Sequence, residues 1–160
     1  MKTSYLAPSR LASLFSGLPM EQVFKEISLE DCPPEVLAAV DGCFESGRVE
    51  RILVGRASRR PCFFVEVALA ENRVSKLQIS EDGELLSRVD GMGKSDLPRT
   101  VKSAMTDFLN AGARFDAADR VFTPDHEEFH IELDLGDNLD LHLFLDDRGV
   151  LLRQHEVGDF

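Results

Sequence analysis

Residues 129–145, FHIELDLGDNLDLHLFL, consist of two alternating runs separated by a short polar segment. In each run, apolar residues at odd-numbered positions alternate with residues that are mostly polar: His130, Glu132 and Asp134 in the first, and Asp140, His142 and Phe144 in the second. A period of two is typical of a strand with one buried and one wet face. Because Gly136-Asp137-Asn138 suits a tight turn, the stretch predicts an antiparallel hairpin.

The position of this turn also predicts the register of the hairpin. If the residues on either side of the turn are neighbours, Glu132 lies opposite His142 and His130 lies opposite Phe144. A slip by one residue would turn the polar set toward the core, so the pattern itself rejects it. The matching register in an earlier stretch sets Glu66 opposite Lys76.

That earlier stretch belongs to a set of similarities between the two halves of the chain. FFVEV at 63–67 matches FHIEL at 129–133, and DGELL at 82–86 matches RGVLL at 148–152. Each half also has a proline-led amphipathic segment, beginning near Pro34 and near Pro98, which predicts a helix with its apolar stripe on a sheet. Residues 49–54 and 118–122 would supply the first strand of each half.

The predicted fold class is therefore α+β, with duplicated units of one helix plus a four-stranded antiparallel sheet in two layers. We predict the units at residues 29–91 and 92–160. Residues 1–28 are predicted to form a short N-terminal helical extension, because two segments carry apolar residues at helical spacing. These residues are Leu11, Leu14, Phe15 and Leu18, and after Pro19 they are Met20, Val23, Phe24 and Ile27.

Composition narrows the classes of function. A net charge of −11 opposes binding to nucleic acid or to an anionic membrane surface, and a neutral or basic partner is expected instead. No apolar stretch approaches the roughly 20 residues that cross a bilayer, so we predict no membrane span. Three cysteines cannot all pair, and Cys32, Cys43 and Cys62 form no C-x-x-C motif, which argues against a disulfide scaffold.

Motifs of catalysis are absent from the sequence. It contains no phosphate-binding glycine loop, no G-x-S-x-G, no H-E-x-x-H and no zinc spacing of Cys and His. His130, Glu132, Asp134, Asp140 and His142 share one predicted face and have the chemistry of metal ligands, but a flat sheet face excludes no water, and solvated roles are favoured. We therefore predict a protein that is not an enzyme, with no catalytic, cofactor-binding or metal-binding residues and no cofactor.

Polar sheet faces that carry aromatic residues are the predicted functional surface. Aromatic side chains on such a face are suitable anchors for another protein. The predicted partner-binding residues are Phe64, Gln78, His130, Glu132, His142 and Phe144.

The second half, with its Leu97-Pro98 helix start, its 129–133 strand and its 143–152 hairpin, resembles the PepSY-like group, and the first half resembles a more diverged copy. That group is related in architecture to the β-lactamase-inhibitor-protein fold. The resemblance implies a tandem of non-catalytic domains, typically exported by bacteria, that bind or inhibit other proteins and often peptidases.

Two hypotheses of function follow. One is a protein-binding module that inhibits or regulates its partner, and the alternative is a small acidic intracellular adaptor or secretion chaperone. The sequence begins without a clear signal peptide, which favours the cytoplasm, whereas the resemblance favours the periplasm or secretion. Monomer and homodimer both stay open, and the partner is another protein of unknown identity.

Overall fold

The computed structural model describes residues 20–57 and 59–158 of the 160. In these residues, nine strands form one antiparallel sheet in which every strand pairs with its neighbours in sequence. The strands are β1 (Met20–Ile27), β2 (Arg48–Ala57), β3 (Arg60–Ala68), β4 (Val74–Ser80), β5 (Leu85–Met92), β6 (Arg114–Phe122), β7 (Glu127–Gly136), β8 (Leu139–Leu145) and β9 (Leu151–Gly158).

Two α-helices of the described chain pack on the same face of this sheet. Helix α1 (Pro34–Cys43) begins with a proline at its first turn, and α2 (Arg99–Asn110) begins directly after Pro98, as predicted. Proline suits both places because its φ is already helical and its missing N–H would have no partner inside the helix. Three short 3-10 helices, Leu29–Asp31, Ala70–Asn72 and Lys94–Asp96, complete the described elements.

The core lies between the helices and the sheet in two clusters. Val36 and Val40 of α1 pack on apolar residues of β2, β3 and β4. Val101 and Met105 of α2 pack on those of β7 and β8, including the fully buried Ile131. The strand residues in both clusters are those that the period-two pattern turns toward the core.

The predicted fold class is wrong, because the structure is one nine-stranded sheet with two helices rather than duplicated helix plus four-stranded units. Strand β5 pairs with β6 over five residue pairs, from Arg88 opposite Phe122 to Met92 opposite Ala118. This pairing joins the two halves through backbone hydrogen bonds, so neither half has a separate sheet.

The N-terminal extension is also corrected where the structure describes it. Residues from Met20 to Ile27 form β1, which pairs with β2, and not the second predicted helix. The register of β1 shifts between Glu21 and Lys25, so a bulge interrupts its alternation. The first predicted helix, on Leu11, Leu14, Phe15 and Leu18, lies outside the described residues.

The predicted hairpin register is confirmed. Glu132 lies opposite His142, His130 opposite Phe144, and Glu66 opposite Lys76. The chain turns between β7 and β8 at Asp137 and Asn138, which both have positive φ, the conformation of a type I′ turn.

Two hairpin tips contact the first turns of the helices. Gly83, between β4 and β5, has a φ of +86°, and a Cβ placed on it would lie 2.7 Å from the carbonyl oxygen of Glu35 in α1. Gly149, between β8 and β9, has a φ of +81°, and a Cβ placed on it would lie closer still to the carbonyl oxygen of Thr100 in α2. The hydroxyl of Thr100 also donates a hydrogen bond of 2.8 Å to the carbonyl of Asp147.

Within the described residues, neither α-helix has the length and apolar character that crossing a membrane requires.

Candidate interaction face

The sheet has a second face, which points away from α1 and α2 and which we call the open face. The pairings from β2 to β9 place all six predicted partner-binding residues on it. No helix of the described chain lies over this face, since the buried apolar residues of α1 and α2 belong to the core clusters of the other side. The open face is therefore the candidate interaction face.

The structure divides the six residues into two groups. Phe64 and Gln78 are neighbours on β3 and β4, whereas the other four, His130, Glu132, His142 and Phe144, are neighbours on β7 and β8. From β4 to β7 there are three strand spacings, or roughly 14 Å. The two groups are thus separate regions of one face.

The first group is buried, which corrects the expectation that it is wet. Phe64 is 4% exposed and Gln78 is 1% exposed. The ring of Phe64 meets that of Phe24 from β1 edge to face, with centroids 5.2 Å apart. The sequence pattern missed this because a residue on β1, which was predicted as a helix, packs over β3.

Around Phe64 lies a small cluster that we call the apolar patch, formed by Leu53, Cys62, Phe64, Val89 and Val121. The Nε2 atom of Gln78 donates a hydrogen bond of 3.2 Å to Sγ of Cys62. Burial raises the pKa of the Cys62 thiol, although the bond from Gln78 acts in the opposite direction. The patch therefore resembles core more than a contact surface.

The second group contains the stacked rings of the open face. His130 stacks on Phe144 with centroids 4.5 Å apart and planes 3° apart, and the guanidinium of Arg153 lies 4.7 Å from the centroid of Phe144. His142 stacks between His130 at 5.1 Å and His155 at 5.7 Å. We call His130, His142, Phe144, Arg153 and His155 the ring platform.

Exposure differs among the residues of the ring platform and is greatest on the edge strand β9. His142 is buried, at 7% exposed, while His130 and Phe144 are half-buried, as is the neighbouring Glu132. Arg153 and His155 of the edge strand β9 are exposed. Nε2 of His130 and Nδ1 of His142 are 2.8 Å apart, so one of them must be an acceptor without a proton, and the bond is lost when both imidazoles are fully protonated.

His155 and Arg153 were not among the predicted partner-binding residues. Pairing of β8 with β9 sets His155 opposite His142 and Arg153 opposite Phe144, which brings both to the open face. A register shift next to Leu145 decides which side chains of β9 point this way. Since alternation alone cannot locate such a shift, the sequence carried no clear signal for these two residues.

Charged side chains lie between the two groups, near the middle of the open face. Burial lowers the pKa of Lys76, and the facing Glu66 partly offsets this. Burial also raises the pKa of Asp119 to about 6, against the opposing effect of Lys76 and with a smaller contribution from Asp90 in the same direction. Asp119 lies opposite His130 and Gly91, so it adjoins the ring platform.

Replacing Asp119 by asparagine is expected to stabilise the protein at pH 7.5 by about 1–2 kcal/mol. The folded protein holds the Asp119 proton up to about pH 6, whereas the unfolded chain releases it near pH 4. The stability of the parent protein should therefore fall as the pH rises from 4 to 6 and stay lower above that. Urea unfolding at pH 4 and pH 7.5 measures the difference, which should nearly vanish at pH 4. Asp125→Asn, in an exposed loop, is the control. If Asp119→Asn raised the free energy of unfolding equally at both pH values, the raised pKa of Asp119 would be contradicted.

Metal binding finds no support in the described residues, where no group of three or more His, Cys, Asp or Glu is arranged to hold an ion. The absence of a metal-binding residue therefore stays a prediction.

No family model matches the chain, and no curated protein matches it. Solved structures do match. A DUF2874 family protein from Bacteroides ovatus has a TM-score of 0.62 at 16% identity and covers 79% of this chain and 89% of its own. A BLIP-like protein from Bacteroides fragilis has a TM-score of 0.61 at 15% identity, and the match covers 79% of this chain and 86% of the other. A protein from Bacteroides eggerthii, provisionally assigned to the periplasm, has a TM-score of 0.63 at 12% identity. The match covers 78% of this chain and 88% of the other.

At these identities the likeness concerns the fold, which is BLIP-like. The closer resemblance to the PepSY-like group and the tandem copying of one unit stay predictions, as do the boundaries at residues 29–91 and 92–160.

Proposed function

We propose that this protein is a non-catalytic binding module that holds another protein against the ring platform. The observation that carries the proposal is the stack of Phe144 between the imidazole of His130 and the guanidinium of Arg153 on a face that no described helix covers. Aromatic residues and arginine are the residue types that most often dominate the energy of protein interfaces.

The platform is also suited to binding because its side chains are already held in place. The guanidinium of Arg153 pairs with Glu128 at 2.9 Å while it lies over Phe144. His142 is fixed between two other rings and by its bond to His130. Side chains that are ordered before binding lose less conformational entropy when a partner arrives.

The identity of the partner is the finer part of the proposal. The BLIP-like name of one similar structure supports a protein partner, and the PepSY-like resemblance favours a peptidase that the module inhibits. A net charge of −11 favours a partner with a neutral or basic surface. The periplasmic assignment of another similar structure makes the periplasm the compartment to search first.

Alanine at Phe144 is expected to weaken the complex at least about tenfold, because truncation of a central interface anchor costs 1.4 kcal/mol or more. The melting temperature should change little, since Phe144 is half-buried at the surface of the sheet. The experiment captures partners from periplasmic and cytosolic extracts of the native organism and then measures the Kd of the purified pair by calorimetry.

Asp107→Ala, on the exposed side of α2, is the matched control and should leave the Kd unchanged. A complex that survives Phe144→Ala and Arg153→Ala but is lost with Asp107→Ala would place the binding surface on the helices and contradict the proposal.

A further inference from the structure

Strands β5 and β9 occupy equivalent places in the two halves of the sheet. Each follows a hairpin tip, at Gly83 or Gly149, that contacts the first turn of a helix. Each also has a register shift in its pairing with the preceding strand, which skips Leu86 in β5 and Leu152 in β9. The two shifts are separated by as many residues as the two glycines, so β5 and β9 can be compared residue by residue.

The two strands differ in what lies along their far edges. Strand β5 pairs with β6 over Arg88–Met92, and none of its residues is exposed. Strand β9 ends the sheet in the described part of the chain, and all residues of 151–157 are exposed. Its pairing with β8 runs without a shift over residues 153–158. A regular strand edge of this kind presents a row of N–H and C=O groups with which another chain can pair.

Exposed apolar residues lie at the start of this edge strand. Val150, Leu151 and Leu152 are consecutive, and they are 53%, 43% and 44% exposed. The counterparts of the two leucines in the first half, Leu85 and Leu86, are half-buried against the helix-side core and the apolar patch. A run of exposed apolar residues at a strand edge is typical of a surface that another chain covers.

The opposite edge of the sheet, β1, is protected against such pairing. It has a bulge between Glu21 and Lys25, and it exposes the charged Lys25 and Glu26. Bulges and charged side chains are the means by which natural proteins keep an edge from pairing with a second chain. Strand β9 has its bulge at Leu152, ahead of the regular stretch, and so keeps an edge on which a strand can form.

The pairing of β6 with β5 indicates the chemistry of a strand that would fit β9. Arg120 of β6 lies opposite Asp90 of β5. The residue of β9 that corresponds to Asp90 is Glu156, which is also acidic and is exposed. A basic residue opposite Glu156 would make a favourable cross-strand pair. A net charge of −11 makes a second copy of this chain a poor occupant, because two acidic copies repel each other, and it favours a segment of another protein.

We propose that β9 is the docking edge for an extended segment of another protein, which adds to the sheet as an antiparallel strand with a basic residue opposite Glu156. Backbone hydrogen bonds supply the affinity in this mode of binding, and side chains at alternate positions select the segment. Arg153 and His155 belong both to β9 and to the ring platform, so the added strand lies directly beside the platform. The inference rests on the proposed function, because it gives the form in which the protein partner binds.

The edge can be tested without the natural partner by adding a strand to the chain itself. A Gly/Ser linker of about eight residues at the C-terminus joins a copy of residues 114–122, the β6 sequence, and holds it near β9 at an effective concentration of about millimolar or more. Hydrogen exchange of the backbone amides of residues 154–158, followed by NMR, should slow at least about fivefold at the amides that point away from β8. The matched control carries the same tail with proline at the copied Arg120 and Val121, which removes two backbone donors, and should exchange like the parent protein.

A charge exchange tests the predicted chemistry of the segment. Glu156→Lys should weaken the protection that the tail gives, and Arg120→Glu in the copied strand should restore it, because the facing charges are then opposite again. Equal exchange with the original and the proline tails would overturn the proposal. So would protection in the parent protein that grows with its concentration, since the edge would then pair with a second copy. The tail involves no natural partner, so its failure beside a complex that depends on Phe144 would leave the proposed function standing.

Discussion

Alanine in place of Gly149 is expected to lower the free energy of unfolding by about 3–4 kcal/mol. The backbone there has a φ of +81°, a region that costs a residue with a Cβ about 1–2 kcal/mol. The new Cβ would also overlap the carbonyl oxygen of Thr100 and push the hairpin tip away from α2. That movement would break the hydrogen bond from Thr100 to the carbonyl of Asp147, worth about 1 kcal/mol.

Gly136 provides the control for this substitution. Its φ of +85° is nearly the same, but nothing lies within 4 Å of the place where a Cβ would be. Gly136→Ala should therefore cost only about 1–2 kcal/mol, from the backbone conformation alone. Urea unfolding of both variants isolates the cost of the contact between hairpin and helix, and equal losses for the two would show that this contact contributes nothing.

Truncation of Phe64 to alanine is expected to cost about 3–5 kcal/mol, the range for a large aromatic side chain lost from a core. Phe64 is almost completely buried, and its removal would leave the ring of Phe24 without its edge-to-face partner. The matched substitution, Phe144→Ala on the same face, should cost about 1 kcal/mol, because Phe144 makes ring contacts but stays half-buried.

Thermal and urea unfolding of the two phenylalanine variants measure this difference. If Phe64→Ala cost as little as Phe144→Ala, the patch would be a wet surface and the original expectation for Phe64 and Gln78 would be restored. A large cost for both would instead make Phe144 part of the core and remove the anchor of the proposed binding surface.

The register of the β7–β8 hairpin and the starts of the helices could be predicted because the residues that decide them lie close together in the sequence. Alternation through residues 129–145 has only one register that keeps Glu132 and His142 out of the core, and the structure has that register. Pro34 and Pro98 marked the helix starts for an equally local reason, since proline is tolerated where the first N–H groups of a helix have no partner.

The single sheet could not be predicted in the same way. It depends on the pairing of β5 with β6. The alternation of apolar and polar residues within a strand does not indicate whether the edge of that strand pairs with another strand or faces water. Strand β1 was predicted wrongly for a specific reason. Its bulge between Glu21 and Lys25 breaks the period of two, so Val23, Phe24 and Ile27 recur at a spacing that also fits a helix.

The candidate surface was predicted in part. The side of the sheet on which a residue lies could be predicted, whereas its burial could not. His130, Glu132 and Phe144 could be placed because their face is decided by alternation within one hairpin. Phe64 and Gln78 were placed on the correct face but with the wrong exposure, because burial depends on what packs over a face and not on which way a side chain points. His155 depended on the register shift before β9, which has no pattern in the sequence.

The order of the strands bears on how fast the chain folds. Each strand is hydrogen-bonded to the next one along the chain, and only the β1–β2 and β5–β6 pairs enclose a helix before they close. Contacts are therefore formed between residues close in sequence, which keeps the entropy lost in closing each loop small. A sheet protein of this size with Greek-key connections has to join distant segments first, so this meander is expected to reach its native state more quickly.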